Sequence, residues 1–289
     1  MGRSLGSAAL RLLVLMLLAS LAGATMIRFA PGFTSDEQEL NPGLSTASVE
    51  AIRQARLADS NIPHFYTHYL KSLLHGDLGT STALNQPVRD LLRERLPITL
   101  KNLGIALLLG WTLGLALAVA AHLSGSRFLA FAADGVGGSL ISTPAAVMAL
   151  IFLMLRWPPV VAAGVLVLPK IYRYCQNLLE ESSRMPHVFA ARARGAAPLR
   201  VLAMHMGPIA LPQLLALAGV SVSIGLGVLL PIEVICDVAG IGQLAWTAAL
   251  SRDLPLLVNL TLVVSFMTIC STMFSDAIRR TFGLTREAA

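Results

Sequence analysis

The stretch Pro208–Val234, PIALPQLLALAGVSVSIGLGVLLPIEV, decides the fold class. It carries no charged side chain before Glu233. A helix needs about 20 apolar residues to cross the hydrocarbon core of a bilayer. Its Gly, Ala and Ser are the small residues that let membrane helices approach closely. The stretch reads as a membrane-spanning helix, and similar runs flank it. Leu254–Phe274 follows; Ile98–Ala121 and Phe128–Leu155 precede. In the latter, Gly135, Gly137 and Gly138 leave room for a neighbouring helix. Arg156–Pro159 reads as an interfacial turn, because Pro breaks a helix and Trp favours the headgroup level. Val160–Leu168 is apolar, but Pro169 and Lys170 follow at once. It crosses only by continuing through Tyr172 and Tyr174, with Lys170 and Arg173 snorkelling inward. A re-entrant hairpin is the alternative. Near the start, Leu12–Ile27 follows Arg3 and Arg11 and reads either as an anchor or as a signal peptide with a cleavage site at Ala22–Ala24.

Composition agrees with the membrane class. Of the 289 residues 55% are hydrophobic and 13% charged, with a mean hydropathy of +0.69. Soluble domains carry about 25% charged residues. The net charge of +6 resides largely in basic residues beside apolar runs, the membrane pattern, so no nucleic-acid partner is expected. Cys175, Cys236 and Cys270 are too far apart for a zinc site or disulfide framework and read as small apolar core residues. Loop charge sets orientation. With the N-terminus inside, Arg3, Arg11, Arg127, Lys170, Arg173, Arg184, Arg192, Arg194, Arg200, Arg279, Arg280 and Arg286 fall inside. Only Arg156 and Arg252 fall in short outer loops. This predicts six spans with both termini inside. The long polar segment 28–96, with weak helical periodicity over 47–58 and 64–74, then lies outside.

No catalytic, cofactor or metal site is expected. The chain has only Lys71, Lys101 and Lys170, none after a glycine, so no P-loop can form. If ATP drives this protein, a partner subunit binds it. His64 and His68, at i and i+4, lack a third ligand nearby and read as surface.

Two regions invite a functional reading. The first is Pro186–Pro212, PHVFAARARGAAPLRVLAMHMGPIALP, on the inner side. Its helix-prone residues are interrupted by Gly195 and Pro198, which predicts an elbow parallel to the membrane. Val188, Phe189 and Ala191 could face a partner, with Arg192 and Arg194 beside them. An interfacial helix facing lipid headgroups is the competing reading. The second is Glu233 and Asp237, where the Pro208–Val234 span meets the outside. Either they gate the pathway or touch solute, or they cap the backbone amides of Gly240-Ile241-Gly242. In Gly76-Asp77-Leu78-Gly79, Asp77 reads as a turn former.

The inner segment resembles the coupling loop of ABC-importer permeases of the dipeptide/oligopeptide/nickel type. The resembling residues are Ala191-Arg192-Ala193-Arg194-Gly195, Arg200-Val201-Leu202, His205 and Leu211-Pro212. Further matching stretches run in the family's order: Arg28–Gly32, Gly76–Ser81, Glu94–Pro97, Glu233, Gly240–Gly242 and Arg252–Pro255. Departures are Pro186-His187 for the usual Asp-Tyr, Phe189 for an arginine, and a shortened region between spans three and four. The family's C-terminal Asp-Pro-Arg is also absent; Asp276, Arg279 and Arg280 stand there.

The resemblance implies an all-α, six-span permease of the type I importer fold in a bacterial inner membrane. Its first helix would be retained over 1–27, with an outer region 28–96, a core 97–282 and a tail 283–289. A coupling helix at about 184–200 would present Val188, Phe189, Ala190, Ala191, Arg192, Ala193, Arg194 and Gly195 to one of two ATPase subunits. A second permease subunit and an extracytoplasmic binding protein would complete the transporter. Glu233, Asp237, Gly240, Gly242 and Asp253 are candidate gate or outer-loop residues; Gly76, Asp77 and Gly79 form an outer motif. Peptides are the implied solute, with a nickel permease or a structural partner subunit as alternatives. An ion-driven secondary transporter would require buried ionisable residues, of which the spans carry almost none, and internal repeats, of which no convincing one is present.

Overall fold

In the computed structural model, residues 76–282 are described, together with Val14 and Ser72. The expected first span Leu12–Ile27, the Arg28–Gly32 stretch, the periodic segments 47–58 and 64–74, the His64/His68 pair and the tail 283–289 lie outside the described residues, save for those two positions. Every named element among the described residues is helical, and the sole pairing of strand type there is an isolated bridge between Thr80 and Pro87.

The helices are α1 (Val88–Ser124), α2 (Arg127–Ser142), α3 (Ala145–Met154), α4 (Pro159–Ser183), α5 (Pro186–Ala193), α6 (Pro198–Val201), α7 (Gly207–Ile235), α8 (Ile241–Leu250) and α9 (Leu254–Thr281). Between α6 and α7 the chain stays helical through a π turn at Leu202–Met206. The cause is local. Pro208 has no N–H to offer the carbonyl four residues back, and the Gly207 N–H reaches Leu202 instead. Helix α1 starts at Val88, inside the segment expected to be outer loop. Asp90 in its first turn favours that start, and Pro97 is accommodated in the interior.

Length and apolarity qualify α1, the continuous run Pro198–Ile235 and α9 as membrane spans. The expected third span is not one helix: α2 and α3 meet at a 100° bend. Thr143 precedes Pro144, adopts φ −80° and ψ 124°, and so leaves the helical region. Pro144 then starts α3. The doubtful fourth segment is a single helix, α4, that runs through Pro169 to Ser183.

The chain divides into two compact units. Among the described residues, one comprises 76–95 and Leu244–Phe266, the other Leu96–Gln243 and 267–282. The second holds two apolar clusters. Leu103, Met148, Phe152, Leu166, Leu229 and Ile232 belong to one; Ala118, Ile171, Tyr172, Val188, Val201 and Met206 belong to the other. Backbones approach closely at glycines. A Cβ on Gly114 of α1 would lie 3.1 Å from the Leu168 carbonyl oxygen and 3.2 Å from the Tyr172 nitrogen of α4. One on Gly219 of α7 would lie 2.9 Å from the Ser275 Cβ of α9. Lipid provides no hydrophobic drive for helix association, so close backbone packing and hydrogen bonds supply it. Trp111 Nε1 donates to Ser221 Oγ at 3.0 Å, and Ser271 Oγ donates to the Gly219 carbonyl.

Candidate functional site

The elbow is formed by α5, its C-terminal turn and α6. Pro186 opens α5 at a position where a missing N–H costs nothing. Gly195 ends it with φ +77°. The Ala196 N–H donates to the Ala191 carbonyl at 3.2 Å and the Gly195 N–H to Arg192 at 2.9 Å, the paired bonds of a Schellman stop. His187 Nε2 lies 3.3 Å from the His205 carbonyl, which ties the two arms of the elbow. The side chains divide by face. Val188 and Ala191 are buried, at 0% and 1% exposure, and belong to the protein's own core. The expectation that they face a partner is corrected, because α5 uses that face to seat itself beside Val201 and Met206. Phe189 is 74% exposed, and Ala190, Arg192, Ala193, Arg194 and Gly195 are exposed with it. Leu199 and Met204 add exposed apolar surface to the same segment.

A second cluster lies in the same unit. Glu233, in the last turn of α7, is fully buried. Its Oε2 accepts from the Gly242 N–H at 2.8 Å and from Thr99 Oγ1 at 3.1 Å. Thr99 Oγ1 in turn accepts from the Ile241 N–H at 2.8 Å. The orphan amides at the start of α8 are thus satisfied from α7 and α1. Gly240 and Gly242 are required sterically. A Cβ on Gly240 would overlap the Glu233 carboxyl, and one on Gly242 the Leu230 carbonyl. Of the two readings for Glu233, the geometry displays the cap. Asp237 is apart from this: exposed, with φ +51°, its Oδ1 accepts from Gln243 Nε2 at 2.5 Å.

The third cluster belongs to the other unit. Asp253 is fully buried and caps α9 by accepting from the Leu256 N–H at 3.1 Å. Its other oxygen accepts from Ser81 Oγ and, at 3.1 Å, from the Ala83 N–H. Asn259 Nδ2 donates to the Leu78 carbonyl at 2.9 Å. The outer motif and the Arg252–Pro255 motif, far apart in sequence, therefore meet. Within the motif the Gly79 N–H donates to Asp77 Oδ1 at 2.8 Å, the expected turn, and Gly76 and Gly79 take φ +76° and +73°. Thr99 and Asn259 were not singled out in sequence. Each is a polar residue near others in its own helix, Thr99 beside Lys101 and Asn102 and Asn259 beside Thr261, and looks the same whether or not it has a distant partner. Among the described residues no three His, Cys, Asp or Glu side chains gather as metal ligands.

Comparison with known proteins identifies the family. Residues 107–283 match the family described as binding-protein-dependent transport system inner membrane component. The oligopeptide transport system permease protein OppB of Escherichia coli strain K12 is 28% identical over 261 residues, covering 83% of this chain and 84% of that protein. OppB of Salmonella typhimurium strain LT2 is similar to the same extent. The matched region contains the elbow, Glu233, Gly240 and Gly242, while Thr99 precedes it, and the chain belongs to the family of inner-membrane components of binding-protein-dependent transport systems.

Proposed function

We propose that this permease subunit forms, with a second permease subunit, the pathway by which peptides enter across a bacterial inner membrane. Six spans with both ends inside, α4 among them, complete that reading. A binding protein delivers solute outside, and two ATPase subunits hydrolyse ATP inside. The elbow is the docking element, Glu233 and its glycines hold the outer turn, and Asp253 holds the outer motif.

The observation that carries the reading is the division of α5 into a buried face and an exposed one. Val188 and Ala191 fix the helix to the membrane core. Phe189, exposed between a proline start and a glycine stop, projects with Arg192 and Arg194 on either side of Ala193. An apolar knob with a basic rim suits a cleft on an acidic-edged partner. Movement of such a helix is transmitted to the spans, because its inner face belongs to the same packed cluster. Solubilised complex tests this. Phe189→Asp and Gly195→Trp are expected to lose the ATPase on affinity purification while the wild type retains it. Both sites are open to solvent, but Gly195→Trp also strains the backbone at φ +77°, so Phe189→Asp, which leaves the fold intact, is the decisive variant. Full retention in both variants rejects the docking assignment.

A further inference from the structure

Helix α4 has two unlike faces. Ala162, Ala163, Leu166, Val167, Ile171 and Cys175 are buried in the apolar clusters. Lys170, Arg173, Asn177, Glu180, Glu181 and Arg184 are all exposed, and at 3.6 residues per turn they form one stripe. Lys170 is eleven residues on from Pro159 in a 25-residue helix. At 1.5 Å per residue it stands roughly 17 Å from the helix start, near the middle. Ionisable side chains at that depth face a water-filled cavity or a polar partner, not lipid. Phospholipid headgroups lie at the ends of such a helix and not halfway along it.

Neighbouring α2 is shaped around the arginine. Arg173 Nη2 donates to the Asp134 main-chain carbonyl at 3.3 Å. A Cβ on Gly138 would stand 3.2 Å from that nitrogen, and one on Gly137 would stand 3.3 Å from the Pro169 Cβ. Gly138 therefore lets the guanidinium lie against α2 while it stays exposed, and Gly137 lets Pro169 of α4 approach the same helix. Along the stripe Lys170 and Arg173 stand at the middle of α4, and Glu180 and Glu181 follow about two turns on from Arg173, so within α4 its positive charge is confined to the middle.

We infer that the α4 stripe lines the solute pathway and that Lys170 and Arg173 form a cationic step midway along it that receives the carboxylate of a passing solute. The inference rests on α4 crossing the bilayer. Charged thiol reagents test it in the complete transporter, reconstituted in sealed vesicles. Asn177→Cys, one turn from Arg173, is treated with anionic sulfonatoethyl or cationic trimethylammonium-ethyl methanethiosulfonate, and residue 177 is followed by tandem mass spectrometry. The ratio of anionic to cationic modification rates is expected to fall by about tenfold when Lys170→Gln and Arg173→Gln are added, with Glu180 and Glu181, one turn further on, kept in both proteins. Modification by neither charged reagent, or only by neutral methyl methanethiosulfonate, means a face covered by protein or lipid and overturns the inference. A ratio that does not fall when the lysine and arginine are removed overturns it too. Arg156→Cys and Arg184→Cys, beyond the two ends of α4, separate the causes of failure. Labelling from opposite sides with a silent residue 177 rejects the cationic step alone; labelling from one side rejects the crossing itself.

Discussion

Glu233 has no surface of its own, yet one of its oxygens serves two donors from two other elements. Truncation to Ala would leave the Gly242 N–H and the Thr99 hydroxyl without that acceptor in a buried place. A hydrogen bond contributes roughly 0.5–1.5 kcal/mol net, and a buried donor left stranded costs about 1–3 kcal/mol. Glu233→Ala is therefore expected to lower stability by about 2–4 kcal/mol in thermal unfolding of the detergent-purified chain. Glu233→Gln, which keeps an acceptor, should lose less than half of that. Equal losses would mean that volume, not hydrogen bonding, accounts for the cap. Asp253 admits a similar test in the other unit. Asp253→Ala removes the cap of α9, about 1 kcal/mol by itself, and frees Ser81 and the Ala83 N–H. Hydrogen exchange at Ala83 and Leu84 should quicken markedly, whereas exchange along α7 should not change.

At the scale of elements, close approach and chain reversal depend on different glycines. Gly114 faces the backbone of α4 at distances that admit no side chain. Gly104, on the same helix, has nothing within 4 Å. Gly114→Leu should force α1 and α4 apart and abolish a monodisperse, folded preparation; Gly104→Leu should leave yield and melting temperature within error. Gly195 differs from both. Space around it is open, but its φ of +77° disfavours any Cβ. Gly195→Ala is expected to cost about 1–2 kcal/mol through backbone strain alone, seen as increased proteolysis between Arg194 and Ala197 with the rest of the chain protected. Helix α4 shows why an element can resist assignment from composition. Its polar stripe dilutes its apolarity below that of a lipid-facing span, although its other face is as well buried as any in the molecule.

For the whole molecule, the proposed assembly predicts an energy source. Peptide uptake by the reconstituted transporter should stop when ATP is withheld and should continue when a protonophore collapses the ion gradient; the reverse result would favour an ion-driven carrier. The long apolar runs at α1, α7 and α9 were legible in sequence, because partition into a bilayer depends on a run's own residues and needs no partner. The Gly195 stop was equally legible, being a local matter of backbone freedom. Other features were decided only on folding. An eight-residue helix such as α5 does not announce which face it buries, and Val188 and Ala191 proved to face inward. The bend at Thr143–Pro144 divides a run whose apolarity is continuous. Thr99 finds Glu233 across 134 positions, and Ser81 finds Asp253 across 172. Sequence by itself therefore determined the long apolar runs of α1, α7 and α9 and the stop at Gly195, since each is a property of neighbouring residues. The tertiary structure alone decided which polar groups satisfy one another, since a buried donor takes whatever acceptor the packed helices bring to it, at any distance along the chain.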